Sequence, residues 1–263
     1  MLSAGLVQVH LGRLVNGRRH LEEARAICDA LEDPGALVPT FAMSPAILAR
    51  GYLGLAYWML GDSGAARQTS DEAVAIATRR HQHEYSLSSA LVFNTWIHLL
   101  AGDTAMVGRR LQQLQSNNVG VQESALMTKV LAAWARAQDD DTAIDEARRA
   151  LARLAGGGFN LWSSLYLGFL VDAYLRAGHP EAAIAAADQA LAQADATGEQ
   201  IYEAALCRLR GEAAVARCRS ATEEAEVWLQ RAIAVADRQQ AVWLREQAEA
   251  SLSRLGKPHY RAS

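Results

Sequence analysis

Histidine and acidic residues are the first candidates for catalysis or metal binding in this chain. His81 and His83 are two positions apart, so they point in different directions on a helix, and no third ligand accompanies them. His179 precedes a proline in a turn, His98 takes a core position, and the run 139–141 of aspartates is typical of a solvated helix start. We find no Ser/His/Asp or Cys/His set on one face and no GxxxxGK[ST] phosphate loop. The sequence therefore predicts no catalytic centre, no metal site and no cofactor.

Charge and cysteine content limit the partners and the compartment. The net charge is -3 without a clustered basic face, which argues against direct nucleic-acid binding. Cys28, Cys207 and Cys218 form no CxxC pair and are typical of reduced, buried thiols. No apolar run approaches the roughly 18 residues that span a bilayer, and the N-terminus lacks a secretory pattern. These features predict a cytoplasmic protein with no membrane partner.

The stretch 170–195 indicates which elements must position any functional side chain. Gly178 suits the left-handed turn that ends a helix, and Pro180 suits the first position of the next one. Three alanines then share one helix face: Ala183, Ala187 and Ala190. Small residues on one face let a second helix approach closely, so the stretch predicts a helical hairpin.

The hairpin recurs, and its best copy surrounds Gly61. That copy carries a Leu-Gly pair, an aromatic residue, a glycine and two alanines at fixed spacing: Leu53, Gly54, Tyr57, Gly61, Ala66 and Ala73. This pattern resembles the tetratricopeptide repeat (TPR). The resemblance implies an all-α, right-handed superhelix of antiparallel helix pairs.

Phasing the repeat along the chain predicts one domain over residues 1–256, with about six helix pairs and a C-terminal capping helix. The predicted units are 1–33, 44–80, 84–118, 121–155, 159–197 and 199–239, followed by a cap at 240–256 and a tail at 257–263. The segment 33–45 is the clearest loop, and glycines 156–158 predict a flexible connection. We expect an open superhelix with a continuous concave groove.

The stretch 197–255 resembles a narrower group, the C-terminal TPR arrays of bacterial STAND-type signalling ATPases, including cyclase-linked ATPases and maltose-activator-like transcription regulators. The shared residues are Thr197, Gly198, Glu199, Tyr202, Glu203, Ala204, Arg208, Leu209, Gly211, Glu212, Glu224, Ala225, Ala232 and Ala236. The resemblance implies a sensor or docking arm, with an ATPase or effector domain on the same or another chain.

The repeat phase also selects candidate binding residues for the concave groove. These are Trp58, Trp96, Arg136, Asp172, Arg208 and Glu212. Aromatic faces, guanidinium groups and carboxylates together suit a peptide or a helix of a partner protein. The alternative for each tryptophan is that it fills a gap between repeats, and for each charge that it pairs within the array.

Two functions follow from a groove of this kind. The first is a non-catalytic regulatory module that docks a protein or peptide segment. The second is a sensor in which a small molecule or peptide enters near Trp58 and Trp96 and changes the superhelix pitch. Met1 leads directly into the first helix, so we expect either a longer protein or a covered N-terminal face. Self-association through the N-terminal repeat is one way to cover it.

Overall fold

The computed structural model describes residues 1–31, 44–79, 84–117, 122–136, 140–158 and 160–255. Within these ranges the chain forms thirteen α-helices and no strand. In chain order they are α1 (Leu2–His10), α2 (Leu14–Ala30), α3 (Pro45–Met59), α4 (Ser63–Arg79), α5 (Glu84–Leu100), α6 (Thr104–Asn117), α7 (Gln122–Arg136), α8 (Asp141–Gly156), α9 (Ser163–Arg176), α10 (Pro180–Thr197), α11 (Glu203–Arg217), α12 (Thr222–Gln239) and α13 (Val242–Leu255).

Some predictions fall outside the described residues. They concern the loop at 33–43, His81, His83, Asp139 and the tail at 257–263. These predictions stay predictions.

The helices form six successive pairs and one terminal helix. Each odd-numbered helix from α1 to α11 packs against the even-numbered helix that follows it, and α13 packs against α12. The first helices of neighbouring pairs also pack on one another, from α1 against α3 through to α11 against α13. This arrangement confirms the predicted all-α helical repeat.

Turn and capping residues act as the sequence predicts. Gly61 and Gly178 have φ angles of 92° and 78°, a left-handed conformation that a side chain would disfavour. An Asp62 side-chain oxygen accepts a hydrogen bond from the backbone N–H of Ala65 at 2.9 Å, which caps α4. In these two hairpins, local backbone and side-chain chemistry therefore ends one helix and starts the next.

Alanines and a glycine allow the paired helices to approach closely. Ala66, Ala73, Ala183 and Ala187 are fully buried at the contact between the helices of their pairs. At Gly211 an added Cβ would lie 3.1 Å from the backbone oxygen of Ala225, so a larger residue would push α11 and α12 apart. The small residues thus determine the spacing of the pairs.

The two ends of the superhelix meet, so the expectation of an open groove is wrong. The backbone oxygen of His10 accepts hydrogen bonds from the backbone N–H groups of Gln200 and Ile201, at 2.7 and 3.2 Å. The side-chain amide of Gln239 donates to the backbone oxygen of Gln200 at 2.7 Å. The turn after α1 therefore lies against the segments before α11 and at the end of α12.

A second contact closes the superhelix between α3 and α13. The rings of Trp58 and Trp243 are 5.9 Å apart in an edge-on arrangement, and Val242 lies 3.4 Å from the Cβ position of Gly61. Each pair is rotated relative to the one before it, and these rotations add up along the array. As a result, α13 lies against the second pair.

Buried arginines join neighbouring pairs. Arg50 of α3 donates to both carboxylate oxygens of Asp29 of α2, at 2.6 and 2.9 Å, and its Nε lies 3.6 Å from Glu72 of α4. Arg210 of α11 makes the equivalent contacts to Asp188 at 2.8 Å and Glu224 at 2.9 Å. One guanidinium group thus bridges its own pair and the preceding one.

We expect Arg50→Met to lower the free energy of unfolding by about 1–2 kcal/mol, because charged hydrogen bonds are lost while the apolar stem is kept. The cost stays moderate since Asp29 and Glu72 are partly exposed and remain hydrated. Urea denaturation measures the change. Arg245→Met removes exposed pairs with Asp237 and Glu249 and serves as the control, with an expected loss below about 0.5 kcal/mol. Equal losses in the two variants would contradict the bridging role.

Candidate functional site

An aromatic cluster of five rings fills the interior of the superhelix. Its central residue is Trp162, whose ring centroid lies 4.4 Å from His10, 4.7 Å from Tyr52, 5.0 Å from Trp96 and 6.0 Å from Phe93. The four surrounding rings come from α1, α3 and α5, whereas Trp162 directly precedes α9. One side chain of the fifth pair therefore contacts the first three pairs.

Trp162 is held in place by its backbone conformation and by a buried carboxylate. Its φ of 63° is left-handed, which is uncommon for a large residue. The Ser164 hydroxyl donates to the Glu199 carboxylate at 2.6 Å, and the backbone N–H groups of Trp162, Ser163 and Ser164 lie close enough to lower the pKa of this carboxyl group. A carboxylate stabilises a helix N-terminus, so Glu199 fixes the start of α9 and the indole with it.

The same burial acts on two titratable groups of the interior. Burial raises the pKa of Glu199, and the hydrogen bonds it accepts oppose that rise. Burial lowers the pKa of His10 to about 4, so its imidazole is neutral at neutral pH. Its Nε2 atom lies 2.8 Å from the hydroxyl oxygen of Tyr52.

A second group, which we call the polar cluster, comprises Asp172, Arg208, Glu212, Ser251 and Arg254. Glu212 is at its centre: one carboxylate oxygen lies 2.8 Å from an Arg208 nitrogen and 3.0 Å from an Arg254 nitrogen, and accepts the Ser251 hydroxyl at 2.5 Å. The cluster joins α9, α11 and α13. Arg254 is largely exposed, whereas Arg208 and Glu212 are mostly buried.

Asp172 connects the polar cluster to α7. The indole N–H of Trp134 donates to its carboxylate at 2.6 Å, and the Arg176 guanidinium group lies 4.4 Å from the centre of the Trp134 ring. Burial raises the pKa of Asp172, the Trp134 hydrogen bond and the charge of Arg208 oppose the rise, and the charge of Glu212 adds to it. Asp172, Arg208 and Glu212 are thus close enough to influence one another.

A cavity of about 220 Å³ adjoins the polar cluster between α11, α12 and α13. Its polar lining includes Glu212, Arg219, Thr222 and Arg254, and Leu229 contributes to its apolar wall. Guanidinium and hydroxyl donors can bind backbone carbonyls or a carboxylate, and the apolar wall can hold a side chain. The site therefore has the chemistry to hold a short polypeptide segment.

The structure separates the other predicted groove residues. Trp96 belongs to the aromatic cluster, with 1% of its surface exposed. Trp58 is buried against Trp243, and the Arg67 guanidinium group lies 5.8 Å from the centre of its ring. Arg136 is exposed and pairs with Glu146 at 2.9 Å and Asp140 at 3.6 Å. Binding roles for these three residues stay predictions.

Sequence reasoning missed Trp162, Ser251 and Arg254, and it named Glu199 only as a residue shared with the signalling-ATPase arrays, without a role. Trp162 lies outside the repeat phase, and its only sequence signal is a tryptophan close to the glycine triplet at a helix start. Ser251 and Arg254 are three positions apart and share one face of α13. We predicted this helix only as a cap, so its residues were not considered for a site.

The described residues contain no group of three His, Cys, Asp or Glu placed to hold a metal ion. Among the helices of the described ranges, none has the length and apolar character required to cross a bilayer.

No protein-family model matches the chain, and no curated protein matches it. Among solved structures, the chain is similar to a Rap protein crystallised in complex with competence and sporulation factor. The TM-score is 0.60 at 12% sequence identity, and the match covers 95% of this chain and 71% of that one. At this identity the similarity shows the fold alone, a TPR-type helical repeat over nearly the whole chain.

Proposed function

We propose that the chain is a non-catalytic interaction module that binds a segment of a protein or peptide at the polar cluster and its adjoining cavity. The observation that carries the proposal is that three of the six predicted groove residues lie close together: Arg208 pairs with Glu212 at 2.8 Å, and the charges of both act on Asp172. Of the three, Glu212 lines the cavity. The exposed guanidinium group of Arg254 extends the site toward solvent, where a partner can reach it.

The solved relative supports a binding function. A Rap protein with this type of fold has been crystallised in complex with competence and sporulation factor, so the fold is compatible with holding a second molecule. The stretch 197–255, which resembles the arrays of signalling ATPases, contains every residue of the polar cluster except Asp172, and Arg208 and Glu212 are among the residues shared with those arrays. We therefore assign residues 1–256 to one regulatory arm of a cytoplasmic bacterial signalling or transcription-regulating assembly. An ATPase or effector domain on the same or another chain would be its partner.

The alternative function is a ligand sensor whose site lies near Trp58 and Trp96. Both indoles are buried, and Trp162 occupies the space between the first three pairs and the fifth. A ligand beside Trp96 would have to displace Trp162, and one beside Trp58 would compete with Trp243, so the polar cluster is the better supported site. Self-association through the N-terminal repeat remains a separate proposal, which analytical ultracentrifugation tests.

We expect the double variant Arg219→Glu, Arg254→Glu to bind the captured partner at least about tenfold more weakly. Two guanidinium donors at the cavity are replaced by carboxylates, which repel the acceptor oxygens of the partner. The experiment isolates the partner from lysate by crosslinking to the wild-type chain and compares affinities by titration. Arg245→Glu changes a similarly exposed arginine on the same helix and is the matched control. Equal binding by both variants, or no partner retained by the wild type, would overturn the proposal.

A further inference from the structure

A second cavity lies between α8, α9 and α10, away from the polar cluster, and its volume is about 170 Å³. Among consecutive helices, α8 and α9 pack least extensively, so the array is loosest here. Leucines form most of the apolar lining: Leu151, Leu154, Leu161, Leu167 and Leu170. The side-chain amides of Asn160, Gln189 and Gln193 supply much of its polar lining.

The polar groups of this cavity define what could occupy it. The Ser163 hydroxyl oxygen is buried and has no hydrogen-bond partner among the described residues, which is costly for a polar group out of water. The charged lining residue is Arg148, whose side chain is 63% exposed and pairs with Asp145 at 3.2 Å. The hydroxyl group of Tyr166 also lines the cavity and is likewise buried without such a partner, so two hydroxyl donors are available within the cavity. The charged group of Arg148 is directed to solvent.

The mouth of the cavity exposes apolar surface. Leu161 lines the cavity and has 47% of its surface exposed, so part of the apolar lining is accessible from solvent. Leu161 and Ser163 flank Trp162 in the chain, so the cavity and the aromatic cluster share one short segment.

We propose that this cavity binds a small, neutral, mostly apolar molecule that carries one oxygen acceptor. An apolar cavity of about 150 Å³ holds a benzene ring, so a single ring with a short substituent matches the space. The oxygen accepts the hydrogen bond of the Ser163 hydroxyl, and the ring lies on the leucines. Binding here is independent of the partner proposed for the polar cluster.

Acetophenone and toluene are the probes, because they share a ring and differ by a carbonyl group. We expect acetophenone at about ten times its dissociation constant to raise Tm by about 3–6 °C, since it binds the folded chain alone. At equal concentrations, below the solubility of toluene, the rise with toluene is smaller. Calorimetric titration gives the two affinities. No binding of either probe, or equal affinities, overturns the proposal.

Two kinds of variant locate the probe. Ser163→Ala removes the hydroxyl and is expected to lower acetophenone affinity about tenfold, to the level of toluene, while toluene binding stays unchanged. Ala152→Phe and Ala155→Phe each place a ring over the cavity from exposed positions of α8 and are expected to abolish binding of both probes. Ala105→Phe, on an exposed position of α6, is the control and retains binding. If Ala152→Phe and Ala155→Phe both bind the probes as the wild type does, the probes do not bind in this cavity and the proposal is overturned.

Discussion

We expect Trp162→Ala to lower the free energy of unfolding by about 3–5 kcal/mol, the range for removing a large buried aromatic side chain. The indole is 3% exposed and contacts four other rings of the aromatic cluster. Each aromatic pair contributes about 0.5–1.5 kcal/mol beyond the area it buries. The variant loses these contacts and gains a cavity between the fifth pair and the first three pairs.

The same variant tests whether Trp162 keeps the superhelix closed. We expect small-angle X-ray scattering to show a larger radius of gyration, because the contacts of His10 with Gln200 and Ile201 lose their support. Urea denaturation gives the stability. Trp162→Phe retains part of the ring packing and should fall between the wild type and Trp162→Ala. Trp228→Ala, at a half-buried tryptophan outside the cluster, is the control and should leave the scattering profile unchanged. An unchanged profile in Trp162→Ala would show that the ends stay together without it.

The helical hairpins could be predicted because their signals are local. Gly178, Pro180 and the buried face that includes Ala183 and Ala187 lie within a single hairpin, and each acts through its immediate neighbours. Glycine at a left-handed turn and proline at a first helical position follow from backbone sterics alone. These residues predict where helices begin, end and approach one another.

Closure of the superhelix could not be predicted in this way. The hydrogen bonds from Gln200 and Ile201 to the backbone oxygen of His10 join residues far apart in sequence, and backbone groups carry no side-chain pattern. Whether the ends meet depends on the small rotation between successive pairs, summed over the array. No single hairpin contains that information.

The candidate site was predicted only in part for a related reason. The repeat phase predicts which way each helical residue faces, and it places Asp172 and Glu212 on the same side of the array. In the structure they lie on the first helices of neighbouring pairs, close enough to influence one another. Arg136 lies in the last turn of α7, and there its long side chain folds back onto its own pair. Trp162 precedes a helix and has no repeat position, so phase says nothing about the residue that fills the interior.

The buried imidazole of His10 leads to the second large effect, a loss of stability in mild acid. Its pKa is about 4 in the folded chain, against 6.5 for an ordinary histidine. The unfolded chain therefore binds a proton in this window that the folded chain does not, and stability falls as pH decreases from 6.5 toward 4. The stabilisation of the fold by neutral His10 is fully present above pH 6.5, and about 3 kcal/mol of the unfolding free energy is lost by pH 4.

Other groups titrate in the same pH range, so the effect of His10 must be measured as a difference in unfolding free energy between two proteins. Burial raises the pKa values of Glu199 and Asp172, which favours the fold as pH falls, whereas His98 has a lowered pKa and acts like His10. His10→Gln removes one titration and leaves these others in place. We expect urea denaturation to show a stability gap between wild type and variant that shrinks or reverses from pH 7 to about pH 4. A stability gap that stays constant over this range would mean that His10 is as readily protonated in the folded chain as in the unfolded one. Burial against Trp162 and Tyr52 would then not keep its imidazole neutral.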